Sequence, residues 1–138
     1  MWDNKQGKRT NIIAAIFRNN PKIIIKLDKL RTQGEKVFIS GMTYYEIQRG
    51  FLAVKATRKL INLENLGNEY KVLLLDDMAI FQKAAEIYAD LKQRGLPIQE
   101  ADIFIAATAI IHNLILVSHD SDLLRIKELQ LEDWLQEE

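Results

Sequence analysis

The sequence predicts an α/β domain in three layers, a central parallel sheet covered by helices on both faces. Three observations carry this. Short apolar runs, Val37-Phe38-Ile39, Val72-Leu73-Leu74-Leu75 and Leu114-Ile115-Leu116-Val117, alternate with stretches of helical periodicity. Each run is apolar at consecutive positions, so neither side of the strand is left for water, which is the pattern of parallel strands buried under helices. The length of 138 residues suits one domain. Residues 1–138 are therefore read as a single unit, whose polar first ten residues form an atypical start open to disorder.

The elements follow in order. Residues 12–17, IIAAIF, are apolar and run into Arg18-Asn19-Asn20-Pro21, a stop signal. Residues 22–33 place Ile24, Leu27 and Leu30 at helical spacing and end at Gly34. Val37–Ile39 reads as a strand. Thr43 opens a helix reaching about Gly50, and a second helical stretch covers about 51–66, ending near Gly67. Val72–Leu75 is a buried strand. Asp76 or Asp77 then caps a long helix over about 78–94, closed by Gly95. Pro97 precedes a helix over about 100–112. Leu114–Val117 is a strand, followed by His119-Asp120 and a short helix at 121–127. Leu129–Leu131 is a last short strand before Trp134.

Composition removes several function classes. Hydrophobic residues make up 48% and charged residues 28%, a globular balance. Nineteen basic residues match nineteen acidic ones, so the formal net charge is zero. A protein that coats nucleic acid by bulk charge is basic, so any such contact here needs a local patch or a bound metal. The absence of cysteine excludes disulfides, thiolate zinc sites and cysteine nucleophiles. The polar start has no signal-peptide core. The longest apolar stretch, Ile103–Ile111, is interrupted by Thr108 and is far short of the roughly 20 residues a membrane helix needs. No membrane association is expected, and a cytoplasmic location is.

Four acids need an explanation. Asp102 sits in EADIFIAATAII, a helix apolar on nearly every side and hence buried, where an unpaired carboxylate is expensive. Against that stands its place in the first turn, where the helix dipole favours a negative charge. Asp120 directly follows LILVS and suits either an N-cap or a ligand; Asp122 takes either role less strongly. Glu46 completes Thr43-Tyr44-Tyr45-Glu46, the T-x-x-E of a capping box, and by spacing alone that is its better explanation. In open α/β sheets, however, functional groups collect beyond the carboxyl ends of the strands. Carboxylates meeting there repel one another unless a cation joins them. Oxygen ligands without cysteine favour Mg²⁺ or Mn²⁺ over zinc, and such ions support phosphodiester hydrolysis.

The same residues carry a resemblance to the PIN domain family and, within it, to the VapC-type toxins. Pro97-Ile98 followed by Ala101-Asp102-Ile103-Phe104-Ile105-Ala106-Ala107 is similar to the family's D-x-x-I-A-A helix. Leu116-Val117-Ser118-His119-Asp120 resembles its L-V-T-x-D motif, and Ile126-x-x-Leu129 with Asp133-Trp134 its usual ending. Ser40, Tyr45-Glu46 and Gly50 resemble its S-x-x-x-x-E-L-x-x-G segment, with Ile47 for Leu. The resemblance implies a PIN-like fold and a ribonuclease using Mg²⁺ or Mn²⁺. In that reading Glu46, Asp102 and Asp120 are metal ligands, Asp122 is a weaker one, and Ser118 orients metal-bound water. It also implies an RNA substrate, a small antitoxin protein as partner and a homodimer.

The chain departs from the family at its start. Thr10-Asn11-Ile12-Ile13 is similar to the end of L-D-T-N and the helix after it, but Arg9 stands at the Asp position and Asp3 to Lys8 are polar. On this reading the first acidic ligand and much of a normally central strand are missing, and Asp3, eight residues before Asn11, is too distant to substitute. Two functions follow: an endoribonuclease, weakened by the lost ligand, or a catalytically silent PIN-like protein acting through partner or RNA binding. A receiver-like domain with an acidic Mg²⁺ pocket fits poorly, because its early paired acids and late lysine have no clear counterpart.

Overall fold

The computed structural model describes residues 11–14, 25, 26, 29, 30, 32–118 and 120–133, with the backbone alone over 11–14. Five strands form one sheet: β1 (Asn11–Ala14), β2 (Lys36–Ser40), β3 (Lys71–Leu73), β4 (Ile115–Val117) and β5 (Leu131–Glu132). Their order is β3-β2-β1-β4-β5, and every neighbouring pair is parallel. The helices are α1 (Gly41–Ala53), α2 (Thr57–Glu69), α3 (Met78–Gln93) and α4 (Glu100–Ile111), with a 3-10 turn at Ser121–Arg125. Residues 25, 26, 29, 30 and 32 are helical, in keeping with the periodicity of 22–33.

Strand alternation divides the core. Val37 and Ile39 of β2, with Ile115 and Val117 of β4, face one cluster that includes Tyr44, Leu66 and Tyr70. Phe38 and Leu116, the intervening residues, face the larger cluster with Ile80, Leu91, Ile103 and Ala107. A side-chain period of two puts these sets on opposite faces, so the expected three layers are present. α4 is buried at Ile103 and from Ile105 to Ala109, and Thr108 satisfies its hydroxyl on the Phe104 carbonyl at 2.8 Å. Phe81 of α3 meets Phe104 edge to face at 5.7 Å.

Helix ends follow local chemistry. Asp77 caps α3 by accepting from the Ala79 amide at 2.9 Å. Gly95, at φ 70°, closes it: its N–H donates to the Lys92 carbonyl and that of Leu96 to the Leu91 carbonyl. Asn113, at φ 56°, ends α4 in the same way, with Leu114 N–H donating to the Ala109 carbonyl.

Four expectations are corrected. Ile12-Ile13 does not begin a helix: Asn11–Ala14 is extended and is the central strand, short but paired on both edges, with Ile13 opposite both Phe38 and Leu116. The helix expected to stop at Gly50 runs on to Ala53, and Lys55, at φ 55°, makes the break. Gly67 does not end α2; a Cβ there would lie 2.9 Å from the Tyr44 ring, so it lets α1 and α2 pack closely. The short helix expected at 121–127 is a 3-10 helix and stops at Arg125. The expectations for residues 1–10, for the stop at 18–21, for His119 and for Trp134 lie outside the described residues.

Candidate metal centre

The chain passes from β1 outward through β2 to β3, then returns to place β4 on the other side of β1. The direction of winding therefore reverses between β1 and β4, and a crevice opens beyond their carboxyl ends. Ser118 and Asp120 follow β4 directly into that region.

Each acid is positioned by its own local structure. β2 ends at Ser40, whose buried hydroxyl oxygen accepts from the Met42 amide at 3.2 Å and caps α1. The turn is tight: a Cβ on Gly41 would stand 2.8 Å from the Leu73 carbonyl oxygen. The capping box expected from Thr43 and Glu46 is thereby overturned. Thr43 lies inside the helix, buried, and its hydroxyl has no hydrogen-bond partner among the described residues. Glu46 is released from any capping duty. Its carboxylate is half-buried and lies 4.0 Å from the Arg49 guanidinium.

Ser118 is buried and its Oγ accepts from the Asp120 amide at 3.1 Å, which fixes the turn after β4. Asp120 is an N-cap: its Oδ1 accepts from the Asp122 amide at 2.9 Å. The Asp120 carboxylate also acts on Asp102, whose carboxyl it helps to raise. Asp122 turns to Arg125, 3.3 Å away, and Arg125 also donates to the Pro97 carbonyl at 2.9 Å. Asp102 lies in the first turn of α4, so it arrives from a helix start and not from a strand end, as does Glu46 from inside α1.

Asp102 carries the electrostatic signature of the site. Its carboxyl is pushed up from 3.8 to about 6, first by burial, then by the charge and hydrogen bond of Asp120, and then by the charges of Glu46 and Asp122. A carboxyl among like charges, partly withdrawn from water, holds its proton more tightly. The four acids thus feel one another, with Asp102 at the centre. They do not form a cage: among the described residues no group of three or more acids or histidines is gathered closely enough to hold a metal ion. The donor set still fits a hard divalent cation. Mg²⁺ takes one or two direct carboxylates and keeps several waters, which a pair such as Asp102 and Asp120 can supply.

Arg49 and Arg125 were not singled out in the sequence. The signal was present as spacing, since each basic residue follows an acid of the cluster by three positions on a helical turn. Arg9 and His119 lie outside the described residues. No helix among the described residues is long and apolar enough to cross a membrane.

The model of the family described as PIN domain matches residues 10–129. Ribonuclease VapC1 of Haemophilus influenzae (strain R2866) is 29% identical over 126 residues, covering 91% of this chain and 94% of that protein. The structure of VapBC-1 from nontypeable Haemophilus influenzae is similar at a TM-score of 0.68 and 25% identity, over 91% of this chain and 98% of that one. VapBC2 from Rickettsia felis, bound to a DNA fragment from their promoter, reaches a TM-score of 0.76 at 23% identity, over 89% of this chain and 98% of that one. The fold is thus shared almost end to end. With the acids at the winding reversal and the family's model spanning nearly all of the described residues, this chain belongs to the PIN domain family.

Proposed function

We propose that the chain is a metal-dependent endoribonuclease, the toxin of a VapBC-type toxin–antitoxin pair, hydrolysing RNA phosphodiester bonds. The observation that carries this is the convergence of acids on Asp102 in a PIN domain: Asp120, just beyond the carboxyl end of β4, and Glu46 and Asp122 all raise its carboxyl. The relative from Haemophilus influenzae is named a ribonuclease.

Asp102 and Asp120 would hold Mg²⁺ or Mn²⁺ directly, with Glu46 and Asp122 reaching it through water. Such an ion supplies a Lewis acid that activates water and offsets charge on the phosphodiester. Ser118 fixes the Asp120 turn through its Oγ and has its hydroxyl proton left to orient water. Arg125 ties the turn after β4 to Pro97, just ahead of the helix bearing Asp102, and so holds the two main ligands in register. The test is RNA cleavage with and without EDTA for the unaltered chain and for Asp102→Asn. Cleavage that EDTA and Asp102→Asn both abolish is the expected result. Cleavage that survives both removes the metal mechanism.

A small antitoxin and a second copy of the chain are the proposed partners. Leu52 (59% exposed), Val54 (72%) and Ile61 (53%) leave apolar surface on α1, α2 and their connection. Only monomer by light scattering, with no protein co-purifying from the native host, would remove this part of the reading. The second function, a catalytically silent PIN-like binding protein, is favoured by one observation, the absence of a gathered acid triad among the described residues. It predicts RNA or partner binding with no cleavage in saturating Mn²⁺.

A further inference from the structure

The acids face a difficulty with their proposed substrate. RNA is an anion approaching four carboxylates in a chain of zero net charge. A local cation must bring the strand in. Residues 47–63 hold four basic side chains, Arg49, Lys55, Arg58 and Lys59, and no acid.

The helix sorts them by direction. At about 100° per residue, Tyr44 and Phe51 share the face of α1 turned to α2, where Tyr44 packs against Gly67 and Lys59 lies over the Phe51 ring. Met42, Tyr45, Glu46 and Arg49 fall on the opposite side. Met42 packs into the core cluster built around α4, and Glu46, one turn further, acts electrostatically on Asp102. Arg49 follows by nearly one more turn, about 4.5 Å along the axis. The Arg49 guanidinium sits 5.2 Å from the centroid of the Tyr45 ring, whose residue is 50% exposed. The Arg49 side chain is 60% exposed.

We propose that Tyr45 and Arg49 form a binding subsite for single-stranded RNA beside the acids, Arg49 taking the phosphate next to the one cleaved and Tyr45 stacking a base. The assignment rests on the nuclease reading above and adds to it the residues that position the strand. The two side chains are preorganised by the cation–aromatic contact, so little freedom is lost when RNA arrives. Arg49 leans on Glu46 at the limit of an ion pair. A contact that long leaves the guanidinium available to a phosphate. Both residues bind and position; neither touches the reacting atoms.

The test is fluorescence anisotropy of a labelled, unstructured RNA oligonucleotide with Mg²⁺, in an Asp102→Asn background so that the probe survives. Stacking on an aromatic is worth 1–3 kcal/mol per base, so Tyr45→Ala should weaken binding about 5- to 150-fold while Tyr45→Phe keeps it within about two-fold. Arg49→Gln should lower the salt dependence of log K by about 0.7, the value of one single-strand phosphate contact. In the otherwise unaltered enzyme both variants should raise KM with kcat changed less than about three-fold. Unchanged affinity in both variants overturns the subsite. So does loss of a co-purifying antitoxin with RNA affinity intact, which would make this face a protein interface. If the unaltered site binds no RNA at all, the nuclease reading itself fails; if RNA binds and only the Tyr45 and Arg49 variants are silent, this subsite alone fails.

Discussion

Replacing Asp102 by Asn should stabilise the metal-free protein, although it removes the central acid. The Asp102 carboxyl ionises near 3.8 when exposed and at about 6 when folded. Between those values the folded state holds a proton that the unfolded state has lost. Stability therefore falls as pH rises from about 4 to about 6 and is level above. At 1.36 kcal/mol per pH unit the gap corresponds to about 3 kcal/mol, but Asp102 is only half-buried and water screens its neighbours, which reduces the effect to the order of 1 kcal/mol. Asn mimics the protonated acid at every pH and can still donate a hydrogen bond to Asp120. Urea unfolding without metal should show Asp102→Asn more stable by about that amount at pH 7.5 and equal to the unaltered chain at pH 4. Added Mn²⁺ should reverse the order, since only the unaltered chain gains binding energy. A variant less stable at pH 7.5, or a difference independent of pH, would refute the account of a raised Asp102 carboxyl.

Three further outcomes follow from the same geometry. Asp120→Asn should keep the cap on the Asp122 amide and lose RNA cleavage, whereas Asp120→Ala should lose both and cost about 1 kcal/mol in urea unfolding. Thr43→Val replaces a buried hydroxyl that has no partner among the described residues, so stability should rise by about 1 kcal/mol, read as a higher melting temperature. The motif alignment puts position 9 at the carboxyl end of the first strand, but the observed pairing puts Ala14 there, opposite Val117. Arg9→Asp is then expected to leave Mn²⁺ affinity by calorimetry and RNA cleavage unchanged, and a gain in either would restore the motif alignment.

Much of the fold was legible because burial writes itself into composition. α4 is apolar nearly all round, and β2 and β4 lack a polar face, so a covered parallel sheet was the readable outcome. Gly95 was legible as a helix end because its left-handed backbone is a local property. Gly67 misled for the opposite reason: what it serves is the Tyr44 ring, 23 positions earlier on the neighbouring helix and beyond the reach of any local rule. At the start of α1 two residues could cap, and the T-x-x-E spacing favoured Thr43. Tertiary packing decided for Ser40, because β2 continues to Ser40 in its pairing with β3 and buries Thr43 one turn on. The run Ile12-Ile13-Ala14 reads equally as strand or helix by its own pattern, and only partners on both edges make it a strand. Among the site residues, Asp102 and Asp120 stood out as costly or strand-terminal acids. Arg49 and Arg125 did not, since an exposed basic residue three positions from an acid is ordinary on any helix.

The place of β1 in the sheet also bears on how the molecule is made. The first strand among the described residues is the middle strand of the sheet, and its second edge is met by β4, about a hundred residues later. During synthesis β1 and β2 can pair early, but the sheet stays open along one side until Ile115–Val117 has been translated. Contacts so distant in sequence close slowly, after a large loss of chain entropy. Asp120 comes still later, so the acids assemble only after β4 has been made. A nascent copy is therefore without its site until that point.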